Sequence, residues 1–323
     1  MRFYLGFFLL LSFVFIPAQA SAEEPLGASK RLAYLVSDIR IPFWAIMARG
    51  IQHSAASQGF SVEVMSADNT AKLELENSVK AIRRKVDGII LSPTNSSAGA
   101  TLLKLAAQAK IPVVVADIGA DSGSYVSYIS SDNAEGAYLI GRILAERMHD
   151  LGWQDGRVGI IAIPQKRENG QARTSGFMRA LEEAGIKGAD LRQQVDFSHQ
   201  ETYRFSRELI QAHADLRALW LQGSDRYQAA LEAIRDSGKE GQILLICFDA
   251  EPEFLDLIPQ GALVGAAMQQ PFLMGQMAVE SLQRHLQGEP VERLQQLPIL
   301  AVSADNIDQQ LPLIRRNVLG LLP

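Results

Sequence analysis

From residue 31 to residue 303, short unbroken apolar runs alternate with longer stretches in which apolar residues recur every three or four positions. RLAYLVS (31–37), SVEVMSA (61–67), GIILSP (88–93) and IPVVVAD (111–117) have the character of strands buried on both faces of a parallel sheet. Between them, Trp44, Met47, Ile51 and Ala55 lie at helical spacing and predict a helix over 43–58. Similar patterns predict helices near 72–85 and 98–109. After YVSYISSD (125–132) the rhythm restarts with helix 134–149, strand 157–163, helix 171–184 and strand QQVDF (193–197). Helix 201–213, strand 218–223, helix 225–236 and strand ILLICFD (243–249) continue it. An apolar stretch near 262–269, a helix over 272–287 and a last run LPILAVS (297–303) close it.

Two successive strand–helix series predict an α/β protein built as two Rossmann-like, doubly wound lobes. No low-complexity or Pro/Ser-rich linker separates them, so the lobes are expected to be joined by strand-like crossings. Open sheets of this kind hold ligands beyond the carboxyl ends of their strands. That rule selects Ser37-Asp38, Ser92-Pro93-Thr94, Asp117, the segment from Gln165, Phe197, Gly223-Ser224-Asp225 and Asp249.

The first residues change the picture. Arg2 precedes a thirteen-residue apolar run (4–16), followed by Pro17 and Ala18-Gln19-Ala20. This is the composition of a cleaved export signal, here residues 1–22, cut after Ala20 or after Ala22. The run is shorter than the roughly 20 residues a membrane-spanning helix needs, and no cysteine stands near the cut for lipid attachment. The expectation is a periplasmic protein with no membrane anchor, acting as a monomer.

Without Arg2 the chain carries 30 Lys+Arg against 36 Asp+Glu, a mild acidity that argues against a nucleic-acid surface. The single cysteine, Cys247, excludes an internal disulfide and sits in an apolar run. No nucleophile elbow, Walker loop or dinucleotide fingerprint is present, and the five histidines show no metal spacing. His199, following Phe197, is the one histidine retained as a possible cleft residue. The chain is therefore expected not to be an enzyme and to need no cofactor.

Candidate binding chemistry rests on strand-end residues. Asp117 and Asp249 each end an apolar strand, where a carboxylate either caps a helix or accepts from a ligand. Arg173, near a helix start, lies where the dipole does not favour a cation and so calls for a partner. Phe43 and Trp44 follow Pro42 and either pack in the core or clamp a sugar face.

YLVSDIRIPFW (34–44), GIILSPTNSSA (88–98), IPVVVAD (111–117), YISSDNAEGAYLIG (128–141), ARTSGF (172–177), ICFDAEPE (246–253) and AAMQQP (266–271) together resemble the periplasmic type I solute-binding proteins. Within these they are most similar to the ribose-binding proteins of ABC importers, over roughly residues 30–305. The resemblance implies lobes of discontinuous chain, 30–131 plus 270–298 and 132–269 plus 299–323. Three hinge crossings would lie near Ser131-Asp132, Gln269 and Leu300. It implies a site in which Phe43 and Trp44 stack on the ligand opposite Phe197, with Ser92, Asp117, Arg173, Asp249 and Gln269 around it. Carboxylates accept hydroxyl protons while guanidinium and amide donate.

Four positions depart from the ribose pattern. Ile41, Ser92 and Gly223 or Ser224 stand where asparagines are usual, and Ile118 stands where an arginine is usual. The expected ligand is accordingly a small sugar or sugar-like molecule with fewer hydroxyls or an apolar face, such as a deoxy-sugar, a polyol or a furanosyl signal. Two acids against one Arg173 leave a weakly cationic ligand open. The closed protein would dock on an ABC permease. The alternative partner is the periplasmic sensor domain of a histidine kinase or chemoreceptor, and the long tail 299–320 resembles relatives that sense. Repressors of this fold need an N-terminal helix-turn-helix, where this chain has its leader.

Overall fold

A computed structural model describes residues 30–321, so the leader lies outside the described residues. The chain forms β1 (Arg31–Val36), α1 (Pro42–Ser57), β2 (Ser61–Ser66), α2 (Ala71–Arg83), β3 (Gly88–Ser92), α3 (Ser96–Gln108), β4 (Val113–Ala116) and β5 (Ser127–Ser131). It continues through α4 (Asn133–Asp150), β6 (Arg157–Ala162), α5 (Glu168–Glu183), β7 (Lys187–Gln193), α6 (His199–Ala212), β8 (Leu216–Leu221), α7 (Tyr227–Asp236) and β9 (Leu244–Phe248). The last elements are α8 (Phe254–Leu257), β10 (Gly265–Met268), α9 (Pro271–Leu286), β11 (Leu294–Leu297), β12 (Leu300–Ser303), α10 (Ile307–Leu313) and a π-helical turn, Ile314–Val318.

The strands build two six-stranded sheets, ordered β11-β5-β4-β3-β1-β2 and β12-β10-β9-β8-β6-β7. All pairings are parallel except β10 with β12. The first sheet carries α1 and α9 on one face, where Trp44, Met47, Ile51, Ala278 and Leu282 are buried. Its other face is covered through Ala81, Leu102 and Leu103 of α2 and α3. In the second sheet Ala137, Leu144 and Phe177 of α4 and α5 cover one face, and Leu209, Ala230 and Ile234 of α6 and α7 the other. Burial on both faces is why β3, β4, β8 and β9 read as unbroken apolar runs.

Two strand readings need correction. QQVDF (193–197) is not a strand; the edge strand β7 covers Lys187–Gln193 instead. An edge strand has one solvated side, and KGADLRQ is too polar to announce itself by hydrophobicity. The run LPILAVS (297–303) is split: Leu297 ends β11 in the first sheet while Leu300 begins β12 in the second. Pro298 stands at that break.

The chain passes between the sheets after β5, after β10 and between β11 and β12. The tail then returns to the boundary. Ile307, Ile314, Val318 and Leu319 join the core of the second lobe. Toward the first lobe, Arg49 Nη2 donates to the Leu319 carbonyl at 2.8 Å and Asn317 Nδ2 to Gln270 Oε1 at 2.7 Å.

Glycines set the closest helix packing. A Cβ added at Gly50 of α1 would lie 2.2 Å from the Phe272 carbonyl oxygen, and one at Gly275 of α9 would lie 2.3 Å from that of Met47. Alanine at an ordinary helix position gains about 0.5–1 kcal/mol over glycine, but overpacking a core costs about 1–3 kcal/mol. Because the obstacle here is backbone, the clash should win. Gly50→Ala is expected to lower stability by about 1–2 kcal/mol, read as a lower urea midpoint. A midpoint at or above wild type would show that the helices can move apart freely.

Candidate functional site

The carboxyl ends of both sheets face one cavity, walled by Ile41, Phe43, Trp44 and Asp117 from the first lobe. Ile163, Arg167, Asn169, Arg173, Phe197, Gly223, Asp225, Asp249 and Gln269 complete it from the second. These residues follow a strand within a few positions or lie in the first two turns of the next helix, which is how a parallel sheet presents side chains at its end.

Local structure explains how several of them are aimed. Asp117 (φ 69°) and Asp249 (φ 67°) both take the left-handed conformation immediately after β4 and β9. Aspartate tolerates this region better than most residues, and there it turns its carboxylate across the strand end. Neither caps a helix. Asp117 Oδ2 accepts from Trp44 Nε1 at 3.2 Å, and Asp249 Oδ1 accepts from Gln269 Nε2 at 2.7 Å. Phe197 (φ 55°) is also left-handed, a conformation costing a bulky side chain about 1–3 kcal/mol. It is held there because the Glu201 carboxylate accepts the backbone N–H groups of Val195, Asp196 and Phe197, and Arg226 Nε donates to the Phe197 carbonyl at 2.7 Å.

The two arginines of the cavity are both anchored to protein. Arg173, buried in α5, donates from Nε to Asn133 Oδ1 at 2.8 Å and from Nη1 to the Gln222 carbonyl at 2.7 Å. Its guanidinium lies 3.8 Å from the Phe248 ring centre and 3.6 Å from Asp249 Oδ2. Arg167 donates from Nε to the Thr94 carbonyl and from Nη2 to Asn69 Oδ1, each at 3.1 Å. Burial lowers the basicity of both, Arg167 to about 10.

The acceptors are not used up. Asp117 Oδ1, Asn169 Oδ1, Asp225 Oδ2 and Gln269 Oε1 are buried with no hydrogen-bond partner. Asp225 Oδ2 is approached by Arg226 Nη1 at 3.2 Å without hydrogen-bond geometry. Burial pushes the Asp117 and Asp225 carboxyls up to about 6, against an attraction from Arg173 in the first case and Arg226 in the second. It raises Asp249 as well, and lifts Glu251, which accepts from Ser224 Oγ behind the cavity wall, to about 7.

Of the residues selected from sequence, Phe43, Trp44, Asp117, Arg173, Phe197, Asp249 and Gln269 come together here. Ser92 does not: it is fully buried beneath the site, 3.1 Å from the Tyr34 hydroxyl and 3.7 Å from Met47 Sδ. His199 also lies elsewhere. It opens α6 with its side chain 55% exposed and pairs with Glu232 at 3.1 Å. Ile118 turns into the core rather than the wall, so only Ile41 and Gly223 of the four departures touch the cavity. Arg167 and Asn169 carry chemistry that residue-by-residue reading missed, while Asp225 was named among the strand-end residues but given no role. The strand-end rule did point at their segments, but a loop sequence does not say which side chain turns inward. No cluster of three metal-ligating side chains occurs among the described residues.

A sequence profile of the periplasmic binding protein domain matches residues 32–290. The chain is 30% identical over 284 residues to the ribose import binding protein of Salmonella typhimurium, covering 88% of this chain and 93% of that one. It is 28% identical over 297 residues to the ribose import binding protein of Bacillus subtilis, covering 91% and 95%. A carbohydrate transporter solute binding protein from Agrobacterium radiobacter, solved in complex with D-arabinose, superimposes with a TM-score of 0.83 at 22% identity, over 90% of this chain and 99% of that one. An ABC transporter periplasmic solute binding protein from Actinobacillus succinogenes, solved with D-allose, gives 0.80 at 20% identity, over 87% and 99%. These two structures establish the shared fold. With a two-lobed fold, a cleft at the strand ends and a profile match over most of its length, the chain belongs to the periplasmic binding protein family, as a solute-binding protein and not an enzyme.

Proposed function

We propose that this protein captures a small neutral or weakly cationic polyhydroxyl solute outside the cytoplasm, closes its lobes around it and delivers it to an ABC importer. The observation that carries this reading is the set of four unpartnered acceptors, Asp117 Oδ1, Asn169 Oδ1, Asp225 Oδ2 and Gln269 Oε1. A ligand that satisfies them must bring hydrogen-bond donors, as hydroxyls or an ammonium do. Three carboxylates against two arginines leave the wall formally anionic by one charge, which disfavours sugar acids and sugar phosphates. Relatives named for ribose import support the sugar class.

Ile41 and Gly223 in the wall favour a ligand with fewer hydroxyls than ribose, because a buried hydroxyl facing an apolar wall loses its partner. Export rests on the leader-like residues 1–22, and no helix among the described residues is long and apolar enough to cross a membrane. A second reading, delivery to a sensor domain, is favoured by one feature. The tail over 307–321 touches both lobes at their boundary, where closure would alter its exposed face.

A thermal-shift screen should find stabilisation by neutral deoxy-sugars or polyols at micromolar concentration and none by sugar acids or phosphates. D-ribose giving the largest shift would overturn the narrower choice of ligand, and an anionic winner the whole reading. Asp117→Asn and Asp249→Asn keep residues that accept left-handed backbone but remove a charged acceptor. Each is expected to weaken binding of the screen's best ligand about 10–100-fold, the worth of a hydrogen bond to a charged group. Unchanged calorimetric affinity in both would dismiss the site.

Affinity and stability should respond to pH in opposite senses. The native Asp117 carboxyl titrates near 6, above its ordinary value of 3.8, so its contribution to stability is complete below about 4 and is lost as pH rises through about 6. The ionised carboxylate is the stronger acceptor for a ligand hydroxyl, so affinity should weaken as pH falls through about 6, where Asp117 and Asp225 take up protons. Calorimetry at pH 5 and 7.5, with ligand-free urea melts of wild type and Asp117→Asn, checks both senses. The variant should lose that pH-dependent increment of stability.

A further inference from the structure

Arg167 belongs to the second lobe by sequence and to the first by its bonds. It sits in the loop between β6 and α5, tethered by its own N–H to the Pro164 carbonyl at 3.0 Å. Its side chain, 4% exposed as a residue, reaches across the cleft to the Thr94 carbonyl and to Asn69 Oδ1. Both receivers are held rigidly. Thr94 donates its N–H and its hydroxyl to the two oxygens of buried Glu74, at 2.7 and 2.8 Å. Asn69 is fixed in the left-handed region (φ 59°) and donates its N–H to the Ser37 carbonyl at 2.8 Å. The guanidinium carbon also lies 5.6 Å from the ring centre of Trp44 in one lobe and 5.7 Å from that of Phe197 in the other.

Among the described residues, these are the only side-chain hydrogen bonds that cross between the lobes away from the three crossings and the tail. Arg173, by contrast, bonds only to Asn133, Gln222 and Asp249 of its own lobe. A contact that exists only when the lobes are together stabilises the closed state and nothing else. We propose that Arg167 is a closure clasp, a positioning residue that populates the closed form before any solute binds and so lowers the conformational cost of capture. Its hydrogen-bond partners are a carbonyl and an amide, not carboxylates, which keeps the clasp weak enough to release. The proposal rests on the reading of the protein as one that closes, but its test needs no ligand.

Spin labels on exposed Lys104→Cys and Glu182→Cys, one per lobe, report the interlobe distance by pulsed electron resonance, and buried Cys247 stays unlabelled. Ligand-free wild type is expected to hold a closed population alongside an open one. Arg167→Ala and Asn69→Gly should each reduce the closed-to-open ratio, Arg167→Ala by about tenfold. Asn69→Asp keeps the left-handed backbone and converts the amide contact into an ion pair, so it should raise the ratio. Urea melts establish that each variant is folded. If Arg167→Ala is not, the opposed pair at Asn69 decides the matter alone. Distance distributions identical to wild type in Asn69→Gly and Asn69→Asp would overturn the proposal. No stabilisation by any neutral sugar, deoxy-sugar or polyol of the thermal-shift screen, with the distance shifts intact, would count against the sugar reading only.

Discussion

The structure turns on carboxylates held out of water at the ends of parallel strands. A charge in such a place is costly unless paired, and the protein pairs its strand-end acids incompletely. Asp249 takes Gln269 and the neighbourhood of Arg173, yet Asp117 has only an indole N–H on one oxygen. The elevated titration of Asp117 and Asp225 is the signature of that shortfall. On the function proposed, a donor-bearing ligand would make it good, and fully so only with both lobes around it. Selectivity and closure therefore draw on the same deficit.

On the same reading, rigid lobes would let that deficit act on the crossings between them. The backbone contact of α1 with α9 at Gly50 and Gly275 leaves little room for those helices to slide, and Gly176 brings α5 equally close to α4, with Ala134 O 2.0 Å from a would-be Cβ. Strain at the strand ends is therefore not absorbed within a lobe. Between the sheets, two of the short crossings and the tail meet around Gln270. Gln270 spans that meeting point, donating to the Pro298 carbonyl and accepting from Asn317.

Much of this was legible in the chain because both sheets are buried on two faces. β3, β4, β8 and β9 announce themselves as apolar runs, and the acid after β4 or β9 lies in the cavity wall as its strand-end position predicts. Elements with one solvated side were not legible in that way. β7 hid behind its polar residues, and β11 merged with β12 because a change of sheet leaves no trace in hydrophobicity. Ser92 and Ile118 fail as wall residues for a related reason. Position relative to a strand end fixes how near a residue lies to the cleft, but pleat and packing decide whether its side chain faces the cleft or the core.

Arg167 was least legible of all. Its loop, Pro164-Gln165-Lys166-Arg167, offers three long polar side chains, and nothing local distinguishes the one that turns inward. Gln165 folds back onto the Ile163 carbonyl and joins Gln222 and Thr174 within its own lobe. That leaves Arg167 as the residue able to span the gap. Only a long side chain with several donors in a fixed fork can reach two neutral acceptors on the far side while keeping its charge near Trp44 and Phe197. A lysine there would concentrate its charge at one point and desolvate it more severely. The same geometry bears on the ligand. With its Nε–H and one Nη2–H spent on the opposite lobe, Arg167 keeps three N–H groups, both of those on Nη1 among them, so the wall sets donors beside its unpartnered acceptors. The clasp proposed for closure would thus leave the wall suited to hydroxyls, which give a proton to an acceptor and take one from a donor.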